Sequence, residues 1–306
     1  MTFINHYSNT VYVIVGPTAV GKTSFAIQLA QHFKTEIISA DSRQCFNELS
    51  IGVAKPSEVE LNSIPHHFIN SHSIHQDINA GVFERYALEK VATIFQHHQT
   101  AVIVGGTGLY INTFCNGIDE MPEIPSHIRD EITTSYKEKG LSWLQQEIKN
   151  KDFNFWQTAE QQNPQRLLRA LEVFKVTGKS INSYKQNKKV ERPFNIVMIG
   201  LELPKEKLVQ NINTRIDNMI KDGLIDEVKE LIPFKHLNAL QTVGYKELFE
   251  YFEGNCRFDF AIERIKINTR QYAKRQMTWF KKNKSIQWFN LTEFKSLNEI
   301  LFAIEK

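Results

Sequence analysis

Gly16-Pro17-Thr18-Ala19-Val20-Gly21-Lys22-Thr23 is the stretch on which the fold turns. It satisfies the pattern G-x-x-x-x-G-K-[ST], and its flanks meet the pattern's structural demand. Apolar Val11 to Val15 predicts a buried strand entering it, and Ser24 to Phe33 predicts a helix leaving it. The glycines let the backbone curl until several N–H groups converge on one anion, and the positive end of the new helix faces the same point. Lys22 adds a point charge, and the Thr23 hydroxyl is the kind of group that binds magnesium. The whole run from Gly16 to Thr23 is thus expected to cradle two terminal phosphates.

Working outward, Glu36 to Ala40 predicts a second short strand, ending in Asp41-Ser42-Arg43-Gln44. Ala101 to Val104 is too short for a helix and rich in branched residues, so it predicts a third buried strand, running into Gly105-Gly106-Thr107-Gly108-Leu109-Tyr110. Open α/β sheets place their chemistry at the carboxyl ends of strands, which makes Asp41 a candidate catalytic carboxylate. Asp also favours N-caps and turns, so a purely local role stands beside that one. Many phosphate-loop ATPases carry an aspartate after such a third strand; here that place holds glycines and Thr107. Strand character resumes at Phe194 to Leu201, and between Asn116 and that point the chain is polar and helical. The expected architecture is α/β: a P-loop NTPase-like parallel sheet flanked by helices, with an inserted all-helical domain. The core would take 1–115 and 194–306, and the insertion 116–193.

The 306 residues are 42% hydrophobic and 23% charged, which is an ordinary globular composition and excludes a disordered chain. A net charge of +3 does not by itself imply nucleic acid, so the placement of cations decides more than their sum. Cys45, Cys115 and Cys256 have no paired spacing for zinc or a disulfide framework and are expected to be structural thiols in a reducing compartment. No run approaches the roughly 20 apolar residues of a membrane span, and Met1 to Tyr7 lacks the character of a signal sequence. A cytoplasmic protein is expected. His66 and His67 are adjacent, and neighbouring side chains diverge, so the pair is weak as a metal site.

Two basic regions stand out. In the insertion, Gln165 to Phe174 predicts a helix with Leu167, Leu168, Leu171 and Phe174 on its apolar face, and Arg166 and Arg169 projecting together. A connector with Lys185, Lys188, Lys189 and Arg192 follows. The final long helix, from near Asp259, carries Arg264, Lys266, Arg270, Lys274, Arg275, Lys281, Lys282 and Lys284, with only Glu263 among them. Such a stripe can follow a phosphate backbone or can be a solvated face. Tyr272, Trp279 and Phe280 are expected to pack this helix on the sheet rather than to stack on bases.

Taken together, these motifs resemble the bacterial tRNA dimethylallyltransferases over essentially the full length. The resemblance rests on Gly16 to Thr23, Asp41 to Gln44, Ala54-Lys55-Pro56, His66-His67, Val104 to Tyr110, Gln165 to Val173, Val243 to Glu247, and Thr269 to Phe280. The chain departs at Asn70, where aspartate is common, and at Pro164-Gln165, where Asn-Asp is common. The resemblance implies transfer of a dimethylallyl group from its diphosphate to N6 of adenine 37 in tRNAs reading codons that begin with U. It implies Asp41, Thr107, Lys22 and Arg215 as catalytic residues, with magnesium as cofactor on Thr23. It further implies a tRNA-binding set of Asp41, Ser42, Arg43, Gln44, Thr107, Arg129, Gln165, Arg166, Leu167, Leu168, Arg169, Lys274 and Arg275. A monomer suffices for a substrate of that size. The alternative is a P-loop kinase that uses ATP on a small metabolite. It shares the loop and the carboxylate, but has no need of the basic final helix.

Overall fold

The computed structural model describes residues 8–186, 190–294 and 296–305. Two compact units emerge, one formed by 1–116 with 191–306 and the other by 117–190.

In the first unit β1 (Thr10–Val15), β2 (Ile37–Ser39), β3 (His66–His67), β4 (Thr100–Val104), β5 (Asn195–Glu202) and β6 (Gln287–Asn290) form one sheet in the order β3-β2-β4-β1-β5-β6, with every pair parallel. Strand periodicity sorts the side chains into two cores. Val11, Val13 and Val15 of β1 join Ala101 and Ile103 of β4 on one face, while Ile14 joins Val102, Val104, Ile199 and Leu201 on the other. Both faces are apolar because both are covered, as parallel sheets require. The helices are α1 (Lys22–Phe33), α2 (Glu58–Ser63), α3 (Ala80–Ile94) and α4 (Gly108–Asn116), then, after the helical unit, α8 (Lys205–Lys221), α9 (Leu224–Glu230), α10 (Tyr245–Phe252), α11 (Phe258–Phe280) and α12 (Leu297–Glu305). Asn79 caps α3 by accepting from the N–H groups of Gly81 and Val82, and Gly254, at φ +76°, follows the end of α10.

The helical unit holds α5 (Ser126–Lys151), bent at Gly140, with α6 (Phe153–Thr158) and α7 (Pro164–Thr177). Its own core contains Ile132, Leu144, Ile148, Phe155, Leu167, Leu168 and Leu171. Asn163 caps α7 on the Arg166 N–H, with Pro164 in the first turn where its missing donor costs nothing.

Where the chain re-enters the first unit, Arg192 is a fold residue rather than a free cation. Its guanidinium is buried against Glu84, and it donates to the carbonyls of Phe114 (2.7 Å) and Thr113 (3.0 Å) at the end of α4. Residues 116 and 191, which flank the helical unit, are thereby anchored close to one staple. Lys188 and Lys189 of the same connector lie outside the described residues.

Candidate active site

Three strand ends converge at the phosphate loop. The Gly105 N–H donates to the Ile14 carbonyl (3.1 Å), the Ala40 N–H to Val104 (2.7 Å) and the Thr107 N–H to Ala40 (3.2 Å), so the segments leaving β1, β2 and β4 are laced together. This lacing needs a glycine at 105, since a Cβ there would stand 2.2 Å from the Ala40 carbonyl oxygen. Ala19 takes a left-handed backbone at φ 64°, and the Asn211 side chain of α8 holds it by donating to its carbonyl at 3.1 Å.

A cavity of about 630 Å³ opens at this junction. Thr18, Ala19, Gly21, Lys22 and Thr23 line it from the loop, Asp41 to Gln44 from β2, and Arg215 from α8. A second cavity of about 470 Å³ shares Ala19, Gly21 and Arg215 with the first and adds Lys207, Gln210 and Asn211. The main cavity is polar at the loop, and it has an apolar wall of Ile216, Met219, Leu224, Val243 and Ile265.

Asp41 has the turn role that its residue type favours, and that role leaves it facing the cavity. Its Oδ1 accepts from the N–H groups of Arg43 (2.8 Å) and Gln44 (3.3 Å), an Asx turn that fixes the carboxylate's orientation, and its side chain faces the cavity. Both bonds fall on one oxygen, which leaves Oδ2 for a proton. Thr107 Oγ1 accepts from the Ser42 N–H at 3.0 Å, so this hydroxyl supports the Asp41 loop and keeps its own hydrogen to donate. Gln44 has a local task instead: its amide accepts from Ser39 Oγ (3.0 Å) and donates to the Ala54 (2.9 Å) and Val53 (3.3 Å) carbonyls.

Lys22 donates to the Pro17 carbonyl at 2.8 Å. Burial, with the neighbouring Arg215 cation second, pushes its ammonium down to about 7, against an opposing pull from Asp41. Arg215 donates to Thr18 Oγ1 at 3.4 Å. Two cations held together in a buried place, with few carboxylates, form a site short of negative charge. Thr23 follows Lys22 in the first turn of α1, half-exposed at the cavity, and the described residues contain no cluster of three His, Cys, Asp or Glu side chains able to hold a metal. A cation here would take most of its ligands from phosphate and water, the habit of magnesium.

The sequence left Gln276 without a role, and the structure makes it a bridge. Buried in α11, it accepts from the Thr18 N–H at 2.8 Å and donates to the Gly106 carbonyl at 3.0 Å, tying the phosphate loop to the β4 bend. One turn earlier, Tyr272 lines the cavity with Arg275, whose guanidinium lies over its ring at 5.9 Å. Of Tyr272, Trp279 and Phe280, all expected to pack inward, Phe280 is buried, Trp279 packs on Gly108 while 41% exposed, and Tyr272 is 36% exposed.

The basic stripe also divides. Arg264 pairs with Glu250, Lys266 with Asp217 (2.6 Å) and Arg270 with Glu263 (3.2 Å), while Lys281 reaches Glu202 (2.7 Å). Lys281, Lys282 and Lys284 lie beyond the helix end. Lys274 and Arg275 remain exposed. In the helical unit Arg169 and Arg129 approach the buried Glu172 (3.3 and 4.0 Å), and Arg166 approaches Glu160 at 3.7 Å on the surface. Gln165 is exposed beside it, whereas Leu167 and Leu168 are core residues whose side chains are not presented to a partner. His66 donates through Nδ1 to the Ile64 carbonyl (2.8 Å), and His67 meets Glu36 at 2.5 Å, so the two rings serve different neighbours.

The family model of the IPP transferases matches residues 44–283. The tRNA dimethylallyltransferase of Flavobacterium johnsoniae is 46% identical over 297 residues, covering 95% of this chain and 96% of its own. That of Christiangramia forsetii is 48% identical over 286 residues, covering 94% and 95%. Among solved structures, the full-length tRNA isopentenylpyrophosphate transferase of Bacillus halodurans superposes with a TM-score of 0.71 at 32% identity, covering 97% of this chain and 95% of its own. A eukaryotic dimethylallyltransferase solved acting on tRNA gives 0.80 at 25% identity, covering 97% and 78%.

Proposed function

The chain belongs to the IPP transferase family, and from that premise we propose that it moves a dimethylallyl group from dimethylallyl diphosphate to N6 of adenine 37 in the anticodon loop of tRNA. The observation that carries this reading is the composition of one cavity: a phosphate cradle with Lys22 and Arg215, an oriented carboxylate at Asp41, and an apolar wall. A diphosphate, an amine to be deprotonated and a short hydrocarbon are the three things such a cavity accommodates.

The N6 lone pair is delocalised into the purine ring, so the amine becomes a useful nucleophile as its proton is removed. Asp41 takes that proton while the new C–N bond forms. The allylic C–O bond breaks with its electron pair leaving on diphosphate. Loop N–H groups, Lys22 and Arg215 meet that charge where it develops, and the Thr107 hydroxyl stands beside the Asp41 loop. Magnesium, with Thr23 as its protein ligand, would supply neutralisation of the diphosphate. A stacked adenine cannot present N6 to a buried carbon, so the base is flipped into the cavity. The second cavity, sharing Arg215 and the loop, supports a separate route for the diphosphate. The kinase alternative is not favoured: no aspartate follows β4, and the relatives are prenyl transferases.

The direct test mixes purified protein, magnesium, unmodified tRNA and labelled dimethylallyl diphosphate. Label in the RNA is expected; label transferred from ATP instead would establish the kinase. Lys274 and Arg275, the exposed cations of α11, are proposed phosphate contacts. Lys274→Ala and Arg275→Ala should each weaken tRNA binding and lower the slope of log affinity against log salt by about one. Unchanged slopes in a filter-binding titration would return α11 to a solvated face.

A further inference from the structure

Val243-Gly244-Tyr245 and the loop Ser50 to Pro56 are brought together by one carboxylate that lies outside the cavity. Glu227 of α9 accepts from three consecutive backbone N–H groups, Ser50 (3.1 Å), Ile51 (2.7 Å) and Gly52 (3.0 Å), and from the Tyr245 hydroxyl at 2.5 Å. Tyr245 is fully buried, and burial together with the Glu227 charge pushes its hydroxyl pKa well up, so it stays protonated and donates. Its hydroxyl end lies against Gly52, where a Cβ would stand 2.6 Å from Cε2, Cζ and the hydroxyl oxygen. Four donors satisfy one carboxylate, far more than a loop needs for a simple turn.

The clamped loop continues straight into the cavity wall. Gly52, Val53, Ala54 and Pro56 line the cavity, and Gly244 and Val243 line it beside them. The Val53 and Ala54 carbonyls receive the Gln44 amide, and the Gln44 N–H donates to the Asp41 carboxylate. A continuous chain of hydrogen bonds thus runs from Glu227 through the loop to Asp41. Lys55 secures the far end, donating to the Phe46 carbonyl and to Asn70 Oδ1, both at 2.5 Å.

We propose that Glu227 and Tyr245 are positioning residues for the acceptor nucleobase: they clamp Ser50 to Gly52 so that the Val53 to Pro56 wall and Asp41 face the flipped base in one fixed geometry. The proposal rests on the prenyl-transfer reading. The phosphate cradle is built from β1, α1, α8 and Gln276 and does not pass through this clamp. Loss of the clamp therefore falls on the acceptor's wall and leaves the diphosphate's contacts in place.

The test uses the full-length chain with Tyr245→Phe, which keeps the ring, and Glu227→Gln, which keeps the size. Removing a donor from this half-buried carboxylate, or the charge from four donors, should lower kcat/KM for tRNA by about tenfold and about a hundredfold respectively, with the KM for dimethylallyl diphosphate within about twofold. Amide exchange at Ser50 to Gly52 should accelerate in both variants. Unchanged tRNA parameters, unchanged exchange, or equal losses for both substrates in step with a falling Tm would each overturn the assignment. If the unaltered chain places no label in tRNA, the prenyl-transfer reading fails on its own. Exchange at Ser50 to Gly52 and direct tRNA binding by the two variants then still decide the clamp.

Discussion

Asp41→Asn should abolish most of the transfer while leaving both substrates bound. The amide oxygen can still accept from the N–H groups of Arg43 and Gln44, so the turn survives, but the side chain no longer takes a proton. The loss expected for a positioned general base is about 10²- to 10⁴-fold in single-turnover rate. Asp41→Ala should be slower still, because it also releases the turn that Thr107 supports through Ser42. Affinity for an anticodon stem-loop and for a non-reactive diphosphate should stay within a few-fold in Asp41→Asn. An asparagine variant that keeps more than about a tenth of the unaltered rate would end the role of Asp41 as base.

Lys22→Ala should reduce donor affinity and turnover together, with the turnover loss about 10²- to 10³-fold, the scale for removing one stabiliser of developing charge. The sign of the accompanying pH effect follows from the direction of the shift. Burial and Arg215 hold the free Lys22 near 7, and an arriving diphosphate raises it again. Donor affinity is then full below about 7 and declines as pH rises through that value, with proton uptake on binding. Calorimetry at pH 8 in two buffers of different ionisation heat should register that uptake in the unaltered chain and lose it in Lys22→Ala. Equal uptake in both would place the proton on another group.

Four of the six strands and the phosphate loop were legible because their signals are local: branched apolar runs, a glycine pattern, and a helix beginning at once; the edge strands β3 and β6, short and without such a run, were not. Asp41 was legible as a candidate, and its two readings turned out to be compatible, since a turn is what aims the carboxylate. Gln276 and Glu227 were not legible, because their partners lie 258 and about 176 residues away and no periodicity announces them. Arg264 and Lys266 pair with acids on α10 and α8, whose packing beside α11 no pattern in the sequence gives, and Arg270 reaches Glu263 two turns back on its own helix, so the final helix looked more uniformly basic than it is. Leu167 and Leu168 show the converse. Their amphipathic spacing already placed them in a core, and membership of a motif run did not alter that.

The central place of β1 between β4 and β5 has a consequence for how the chain is made. On a ribosome the β1 side that will receive β5 stays unpaired until residue 202 has been synthesised, while 117–190, which has a core of its own, is finished earlier. Domains fold as units in order of emergence, and distant pairings wait on the closure of long loops. The helical unit should therefore gain protease resistance on chains cut before β5 and held clear of the ribosome by a C-terminal linker. For that interval β1 offers an open, apolar edge, the moment at which this protein most needs a chaperone.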